Sequence, residues 1–247
     1  MDAVPYKFVD SVVELFDGKK TLDPLANEVR HRLWKKVVDF HHRNRVYYFV
    51  YVQIFRTKDS GTHIVAFNGG TEIYSDLKPI QKNRRFARIV AIYDPTDFDF
   101  EDDYLKWKHS QILGDVDAAK KLSSIAPQFE QSSHFIGQSA DIILSSLSSS
   151  IFGKIWLQYN GQTSLIFLEK QIANSPFLDM ITLYEGKQFC LKGRPGRHVS
   201  LEIRDAMETK IDTNFIQRFF EHWKEKGTLN FTLDCGYATV DPKDKRI

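Results

Sequence analysis

The run "HHRNR" at 41–45 offers two imidazoles that could ligate a metal ion or bind a phosphate. Because adjacent histidines point to different faces of a helix, they do not readily chelate one ion. At the end of a predicted helix, the positive charges of this run would complement the negative end of the helix dipole. We therefore interpret the run as a helix terminus and not as a metal site.

The segment "DPTDFDFEDD" at 94–103 places carboxylates at alternate positions, as calcium-binding loops do. Such loops also need a glycine at the bend and a bidentate glutamate at a fixed offset, and this segment lacks both features. We interpret the segment as a solvated acidic loop. The sequence accordingly predicts no metal ion and no cofactor.

The densest basic run is "QKNRRFAR" at 81–88, which contains Arg84, Arg85 and Arg88 around a phenylalanine. A nucleic-acid surface needs several such patches on one face. The net charge of the chain is only +2, so bulk charge does not favour nucleic acid. Nucleic-acid binding is therefore a minor hypothesis, and it predicts affinity that falls steeply with salt. A second basic segment, "GRPGR" at 193–197, is typical of a tight turn.

Known catalytic motifs do not occur in the sequence. It contains no nucleophile elbow G-x-S-x-G, no P-loop, no dinucleotide-binding G-x-G-x-x-G, no zinc motif H-E-x-x-H and no C-x-x-C pair. Catalysis would require side chains that converge from distant segments. We therefore predict that the protein is not an enzyme.

The composition favours a globular protein of a reducing compartment. Apolar residues make up 42% of the chain and aromatic residues 13%, which is ample material for a core. Only Cys190 and Cys235 are present, too few for a disulfide framework. The N-terminal stretch is interrupted by Asp10 and Glu14, unlike a signal peptide. No run approaches the roughly 20 apolar residues that cross a bilayer, so we predict no membrane contact and a cytoplasmic or nuclear location.

The first 44 residues predict three short helices. The first begins at Pro5 and ends at residues 17–18, the second is capped by Thr21, and the third covers about 31–42. The first helix has more apolar positions than one core contact needs: Phe8, Val9, Val12, Val13, Leu15 and Phe16. We expect this stripe to be covered either by the rest of the chain or by a partner.

From residue 45 onward the pattern changes to alternating strands and helices. Strands are predicted at "RVYYFVYVQIF", "HIVAFNGG" and "FARIVAIYD", which are rich in β-branched and aromatic residues. A helix is predicted after Gly114, ending near Pro127. The serine-rich stretch 130–150 retains a helical spacing of apolar residues, and we predict a helix across it.

Residues 151–236 contain repeat-like units. The segments "KIWLQYNG", "MITLYEG", "HVSLEIRD" and "LNFTLDCG" predict strands, and "TSLIFLEKQIANSP" and "DTNFIQRFFEHWKEKG" predict helices between them. This alternation is typical of a leucine-rich-repeat-like array, in which each unit packs on its neighbour. Only eleven residues separate Gly186 from His198, too few for a helix and two turns, so the array is predicted to be irregular.

The N-terminal pattern resembles an F-box, a motif that opens with a leucine-proline-like pair and closes with a helix bearing a tryptophan. Here the pair is Val4-Pro5, and the closing helix contains "LWKKVV" with Trp34. The stretches "VPYKFVDSVVELF" and "HRLWKKVVDFHHRNRVYY" more closely resemble a large family of nematode F-box-like proteins, in which this head precedes a β/α body with leucine-rich-repeat-like character. "FLEKQIANSPFL" and "FIQRFFEHWKEKGTLNFTL" resemble the repeated elements of that body.

The resemblance implies a role and not a reaction. An F-box docks onto the Skp-type adaptor of a cullin–RING ubiquitin ligase, and the body captures a protein substrate. By this resemblance, the residues that would meet or support the adaptor are Val4, Pro5, Phe8, Val9, Val12, Val13, Leu25 and Trp34. No motif identifies the substrate.

The expected architecture is therefore an α/β chain, with a three-helix F-box-like segment at 1–44 and an irregular leucine-rich-repeat-like β/α array at 45–247. The leading hypothesis is a non-catalytic substrate-recognition subunit of a cullin–RING ubiquitin ligase. The alternative is a self-contained interaction or scaffold protein with a degenerate F-box, whose N-terminal helices pack on its own body. The two hypotheses differ in whether the apolar stripe at 8–16 faces outward or is buried within the chain.

Overall fold

The N-terminal part of the chain, residues 4–44, forms a helical segment that we call the head. It contains helices α1 (Tyr6–Glu14), α2 (Asp23–Glu28) and α3 (Arg32–Asn44), with a π-helical turn (Gly18–Leu22) before α2. The computed structural model describes residues 4–55, 61–69, 72–95, 110–137, 141–158, 161–184, 198–204, 221 and 230–234. The described residues from 45 onward form the body.

The head has a small core of its own. Val9 and Val13 of α1 are buried together with Val37 and Val38 of α3. Leu22, at the end of the π-helical turn, is buried in the same cluster. Because α1 and α3 are short, this shared core stabilises them more than their intrinsic helix propensity does.

Asp17, and not Thr21, caps the helical segment that follows α1. Its side chain accepts a hydrogen bond from the backbone N–H of Lys20 at 2.9 Å. The first N–H groups of a helical segment lack partners within the helix, so an acceptor at this position is stabilising. The predicted cap at Thr21 is wrong because helical structure begins earlier, at Gly18.

The body is built on one sheet. Within the described residues its strands are β1 (Val46–Phe55), β2 (Gly61–Asn68), β3 (Ile73–Tyr74), β4 (Ala87–Tyr93), β5 (Phe129–Gly137), β6 (Lys154–Gln158), β7 (Met180–Tyr184), β8 (His198–Arg204) and β9 (Asn230–Asp234). Their order across the sheet is β3-β2-β1-β4-β5-β6-β7-β8-β9. The pairs that involve β2 are antiparallel, and the others are parallel.

Helices in the connections between strands pack on the sheet. They are α4 (Lys78–Lys82), α5 (Asp115–Ile125), α6 (Asp141–Ser146) and α7 (Gln162–Asn174). Parallel strands need crossover connections of this kind. Helix α5 contacts α6 and α6 contacts α7, so the three form a row. Their apolar residues join those of the strands in one core, which includes Leu122, Ile143, Phe167, Ile89 and Phe135.

The predicted α/β class is confirmed, with a mostly parallel sheet. The four strands predicted in 151–236 occur as β6 to β9, and α7 lies between β6 and β7 as expected. Other predictions lie outside the described residues: the acidic loop from 96 onward, the "GRPGR" turn, Cys190, Cys235 and all but one residue of the helix predicted at 212–227.

The helix predicted across 130–150 is wrong in its first half. Residues Phe129–Gly137 form β5, a strand between β4 and β6, and a helix occurs only at Asp141–Ser146. Burial alternates toward the end of β5, where Ser133 and Phe135 are buried and their neighbours are half-buried. Small and polar side chains conceal this period of two in the sequence.

Candidate functional site

Helix α1 has two apolar sides. Val9 and Val13 lie on the side that packs in the head core and are fully buried. Phe8 and Leu15 lie on a different side, about two helical turns apart along one face. Phe8 is 57% exposed and Leu15 is 72% exposed. The apolar stripe seen in the sequence is therefore divided between the core of the head and its surface.

The eight residues predicted to meet or support an adaptor fall into three groups. The exposed residues are Val4, Pro5 and Phe8. The half-buried residues are Val12, Leu25 and Trp34. Leu25 and Trp34 pack against the head core, so they are placed to support α1 from inside. The remaining two residues are buried.

Val9 and Val13 cannot contact a partner in this conformation, because their side chains are enclosed by the head core. This corrects the expectation that they would touch an adaptor. Leu15 has the opposite status: it is the most exposed large apolar residue in the described part of the chain, and it was not among the predicted docking residues. Its spacing from Phe8, which places both on one helical face, was the available signal.

Two hydrogen bonds between carboxylates and backbone join the head to the body. Asp17 of the head accepts from the N–H of Ser132 on β5 at 2.9 Å. Glu130 on β5 accepts from the N–H of Gly18 at 3.0 Å. Both carboxylates are buried, and a buried N–H needs an acceptor. These bonds therefore fix the turn at 17–18 against β5.

Arg45 joins the end of α1 to the same junction. Its guanidinium donates to the carbonyl oxygens of Val13 at 3.0 Å and of Glu14 at 2.9 Å, and also to that of Phe16. It pairs with Glu130 at 3.3 Å, and both side chains are buried. The last carbonyls of a helix lack intrahelical partners and carry partial negative charge. Arg45 thus caps α1 from the start of the body.

A second buried arginine, Arg88 on β4, supports the same helix end. Its side chain donates to the carbonyl oxygen of Glu14 at 2.8 Å and to that of Arg85 at 3.0 Å. Its Nε lies 3.9 Å from Glu130. Burial, together with the nearby charge of Arg45, lowers the pKa of Arg88 below its ordinary value. Arg88 therefore makes its contacts inside the protein and not at its surface.

The two junction carboxyls differ in acidity. Burial raises the pKa of Glu130 to about 7, with a further rise from the charge of Asp17, although Arg45 and the N–H of Gly18 act in the opposite direction. Burial also acts to raise the pKa of Asp17, but hydrogen bonds, those from Ser132 first, outweigh it and hold this pKa below its ordinary value. Asp17 is therefore ionised at neutral pH, whereas Glu130 gains or loses its proton near pH 7.

A cleft of about 570 Å³ lies between α1 and the body. Leu15 lines it on the head side, Arg84 and Gln128 line it on the body side, and Glu130 also contributes to its wall. A carboxyl that titrates near neutral pH suits acid–base catalysis. Glu130, however, is 4% exposed, and both of its oxygens accept hydrogen bonds from the protein. We therefore assign Glu130 to the structure of the junction and not to catalysis.

Asp10 braces the middle of α1 against two other parts of the chain. Arg85 donates to both of its carboxylate oxygens, at 2.5 Å and 2.6 Å. His41 of α3 lies 2.8 Å away through its Nε2. His41 is fully buried, and burial lowers its pKa, so the neutral ring donates its Nε2–H to Asp10. The guanidinium of Arg85 also lies over the ring of Phe86, 5.1 Å from its centre.

The histidines at 41–42 point to different surroundings. His41 is bound to Asp10 inside the head, whereas His42 is exposed and lies 3.5 Å from Asp23. Across the described ranges, no group of three or more metal-ligating side chains could hold an ion. The run at 41–45 therefore serves packing and capping, although its Arg45 caps α1 and not its own helix.

Only part of the basic run at 81–88 is a free cationic surface. Arg88 is buried, and Arg85 is paired with Asp10. Lys82, Arg84 and Arg85 are exposed, although Arg85 is held by its ion pair. Two of the three arginines on which the nucleic-acid hypothesis depends are therefore engaged within the protein.

Comparison with known proteins identifies no relative, so the function must be inferred from the geometry of the structure. No protein-family model matches the chain, no curated protein matches it, and no solved structure matches it. In the part of the chain that the structure describes, no helix is both long enough and apolar enough to cross a membrane.

Proposed function

We propose that the chain is a non-catalytic substrate-recognition subunit of a cullin–RING ubiquitin ligase, which docks on a Skp-type adaptor through its head. The observation that carries this proposal is the exposed apolar side of α1, formed by Phe8 and Leu15 with Val4 nearby. The head core is already filled by Val9 and Val13, so the fold does not need this second apolar side. Large apolar residues grouped on an exposed helix face are typical of protein-binding surfaces.

The exposed side of α1 offers enough apolar surface to anchor a partner. Burying a Phe or Leu side chain contributes about 1.5–3 kcal/mol relative to leaving it in water. Protein interfaces commonly depend on a few such anchors, surrounded by contacts of low energy. We expect Phe8 and Leu15 to be the anchors and Val4 and Pro5 to extend the contact. Val12, which is half-buried, would form the border between the contact and the core.

In this proposal the body supplies the surface for the substrate. Its parallel strands from β4 to β9 follow one another in sequence order, and α5, α6 and α7 form a row. This arrangement resembles a leucine-rich-repeat-like array, which presents an extended surface to its partners. We propose that an unidentified protein substrate binds the body while the adaptor binds the head.

A titration of the full chain with a purified Skp-type adaptor tests the proposal. Wild type should bind, and Phe8→Asp and Leu15→Asp should each weaken the affinity about ten-fold or more, because each buries a charge in an apolar contact. Phe177→Asp is the matched control, since Phe177 is an exposed aromatic residue of the body. Absence of wild-type binding, or equal binding by all three variants, would sink the proposal.

The alternative is a self-contained interaction or scaffold protein whose head is a degenerate F-box. The buried junction through Asp17 and Glu130 favours it, because a head fixed to its own body needs no partner to hold it. The same titration separates the two candidates. A degenerate F-box predicts a wild-type chain that is folded but does not bind the adaptor.

A further inference from the structure

Arg45 lies between the head and the body and forms hydrogen bonds with both. Toward the head, its guanidinium donates to three carbonyl oxygens at the end of α1, those of Val13, Glu14 and Phe16. Toward the body, it pairs with Glu130 on β5 at 3.3 Å. Arg45 is buried, so water does not compete for these charged hydrogen bonds.

We infer that Arg45 is a positioning residue for the exposed apolar side of α1: it fixes the end of the helix relative to the sheet, so that head and body present their surfaces in one arrangement. The effect on adaptor binding rests on the proposed function. The effect on the structure of α1 does not.

Arg45 binds the backbone on both sides of Leu15. Leu15 lies between Glu14 and Phe16, and the carbonyl oxygens of both neighbours accept from Arg45. The most exposed large apolar side chain of the described residues therefore lies between two carbonyl groups that one guanidinium binds. A planar guanidinium can serve several acceptors at fixed angles, which a lysine ammonium cannot reproduce.

Other contacts hold other parts of α1. Asp10 is held by Arg85 and His41 in the middle of the helix, and Arg88 shares the carbonyl oxygen of Glu14. Because these contacts remain when Arg45 is replaced, the start of α1 should stay in place. The loss of Arg45 should therefore loosen residues 13–18 and leave the rest of the head folded.

Arg45→Met is the informative variant, because its side chain fills similar space without a charge. The replacement removes the nearest cation from Glu130. Glu130 can then take up a proton, since its pKa is already about 7, and a buried neutral carboxyl costs far less than a buried unpaired charge. The variant is therefore expected to fold. Arg45→Lys, which keeps the charge but not the planar fork, is the second variant.

Hydrogen exchange of the full chain tests the structural effect. In Arg45→Met, the amides of residues 13–18 should exchange about ten-fold faster or more, while those of α3 and the sheet keep wild-type rates. Arg45→Lys should show the same local change to a smaller degree. Arg43→Met is the matched control, since Arg43 is exposed and donates to the carbonyl oxygen of Asp39 within its own helix. Unchanged rates at 13–18 in both Arg45 variants, or equal acceleration everywhere, would overturn the inference.

Adaptor affinity tests the functional effect. Arg45→Met should weaken binding of the Skp-type adaptor about three- to ten-fold, although Arg45 is buried and does not touch the partner, because a looser helix end must be ordered on binding. Arg43→Met should bind as wild type does. Wild-type affinity in Arg45→Met would overturn the link between Arg45 and docking. If wild type itself does not bind, the proposed function fails, and hydrogen exchange still decides whether Arg45 positions α1.

Discussion

Asp17 and Glu130 make reciprocal hydrogen bonds across the junction of head and body. Asp17 accepts from the backbone N–H of Ser132, two residues after Glu130, and Glu130 accepts from that of Gly18, the residue after Asp17. The head turn and strand β5 are thereby paired through carboxylates where a sheet would use carbonyl oxygens. Each bond satisfies an N–H that water reaches poorly, so the head is a fixed part of the α/β chain.

Glu130 should make a contribution to stability that is lost as the pH rises. Its folded pKa of about 7 lies above the ordinary value of 4.5, so the folded state binds this proton more tightly than the unfolded state does. The contribution is fully present below the unfolded pKa and disappears as the pH rises through the folded pKa, with an upper limit of about 3 kcal/mol. Urea unfolding between about pH 5 and 8 measures it.

The difference between wild type and Glu130→Gln isolates this contribution. His41 has a lowered pKa and gives the opposite trend, a contribution that is present above its ordinary pKa of 6.5 and is lost as the pH falls through its lower folded pKa, but both proteins share it. The unfolding free energy of wild type should therefore fall relative to that of Glu130→Gln as the pH rises. Glu28→Gln, which changes an exposed carboxyl of α2, should follow wild type. Parallel curves for wild type and Glu130→Gln would contradict the assignment.

Gly18 should not tolerate a side chain. A Cβ at this position would lie 2.3 Å from the hydroxyl oxygen of Tyr47 and 2.7 Å from its Cε1. Either the ring or the turn must move, and a moved turn would strain the bond from Gly18 to Glu130. We expect Gly18→Ala to lower the unfolding free energy by about 1–3 kcal/mol.

Gly69→Ala is the control for Gly18→Ala. The nearest atom to a Cβ at Gly69 is the carbonyl oxygen of Tyr47 at 3.9 Å, an ordinary contact. Its unfolding free energy in urea should stay within about 0.5 kcal/mol of wild type. If both alanine variants were equally stable, the close approach of Gly18 to Tyr47 would not limit which residue position 18 accepts.

Asp10 should matter more to stability than Asp23, although each pairs with a histidine of α3. Asp10 accepts from the buried His41, whereas Asp23 lies near the exposed His42. Asp10→Ala leaves a buried N–H without its acceptor, which costs about 1–3 kcal/mol. An exposed pair contributes no more than about 1 kcal/mol, so Asp23→Ala should have the smaller effect. Urea unfolding of the two variants compares them directly, and equal losses would refute the distinction.

Elements with a clear local pattern could be predicted from the sequence, and elements without one could not. The aromatic and β-branched run of β1 predicted a strand, and a strand occurs at Val46–Phe55. The helical spacing of apolar residues at 142–147 predicts a helix across 130–150, but serine and glutamine interrupt the period of two in β5 and conceal the strand. Glu130 of this strand accepts a hydrogen bond from the N–H of Gly18, which is 112 residues away in sequence. No local sequence pattern indicates such a distant partner.

The apolar excess of α1 could be recognised in the sequence, but its division into two sides could not. Which positions face inward depends on where α3 packs, and Val9 and Val13 are inward because they share a core with Val37 and Val38. The role of Arg45 was hidden for the same reason. The run at 41–45 predicts charges that complement the dipole of their own helix, whereas tertiary packing brings the end of α1 to Arg45.

The basic run at 81–88 should not support nucleic-acid binding. Arg88 is buried and donates to the carbonyl oxygen of Glu14, so phosphates cannot reach it. Arg85 is exposed but already paired with Asp10, so phosphates would have to compete for it. A labelled single-stranded RNA and a DNA duplex, titrated at about 50 mM and 200 mM salt, should show no salt-sensitive binding. Arg85→Glu should instead lower the unfolding free energy, because it places a carboxylate beside Asp10. Binding that weakens steeply with salt and is lost in Arg84→Glu, but kept in Lys120→Glu on the exposed side of α5, would restore the nucleic-acid hypothesis.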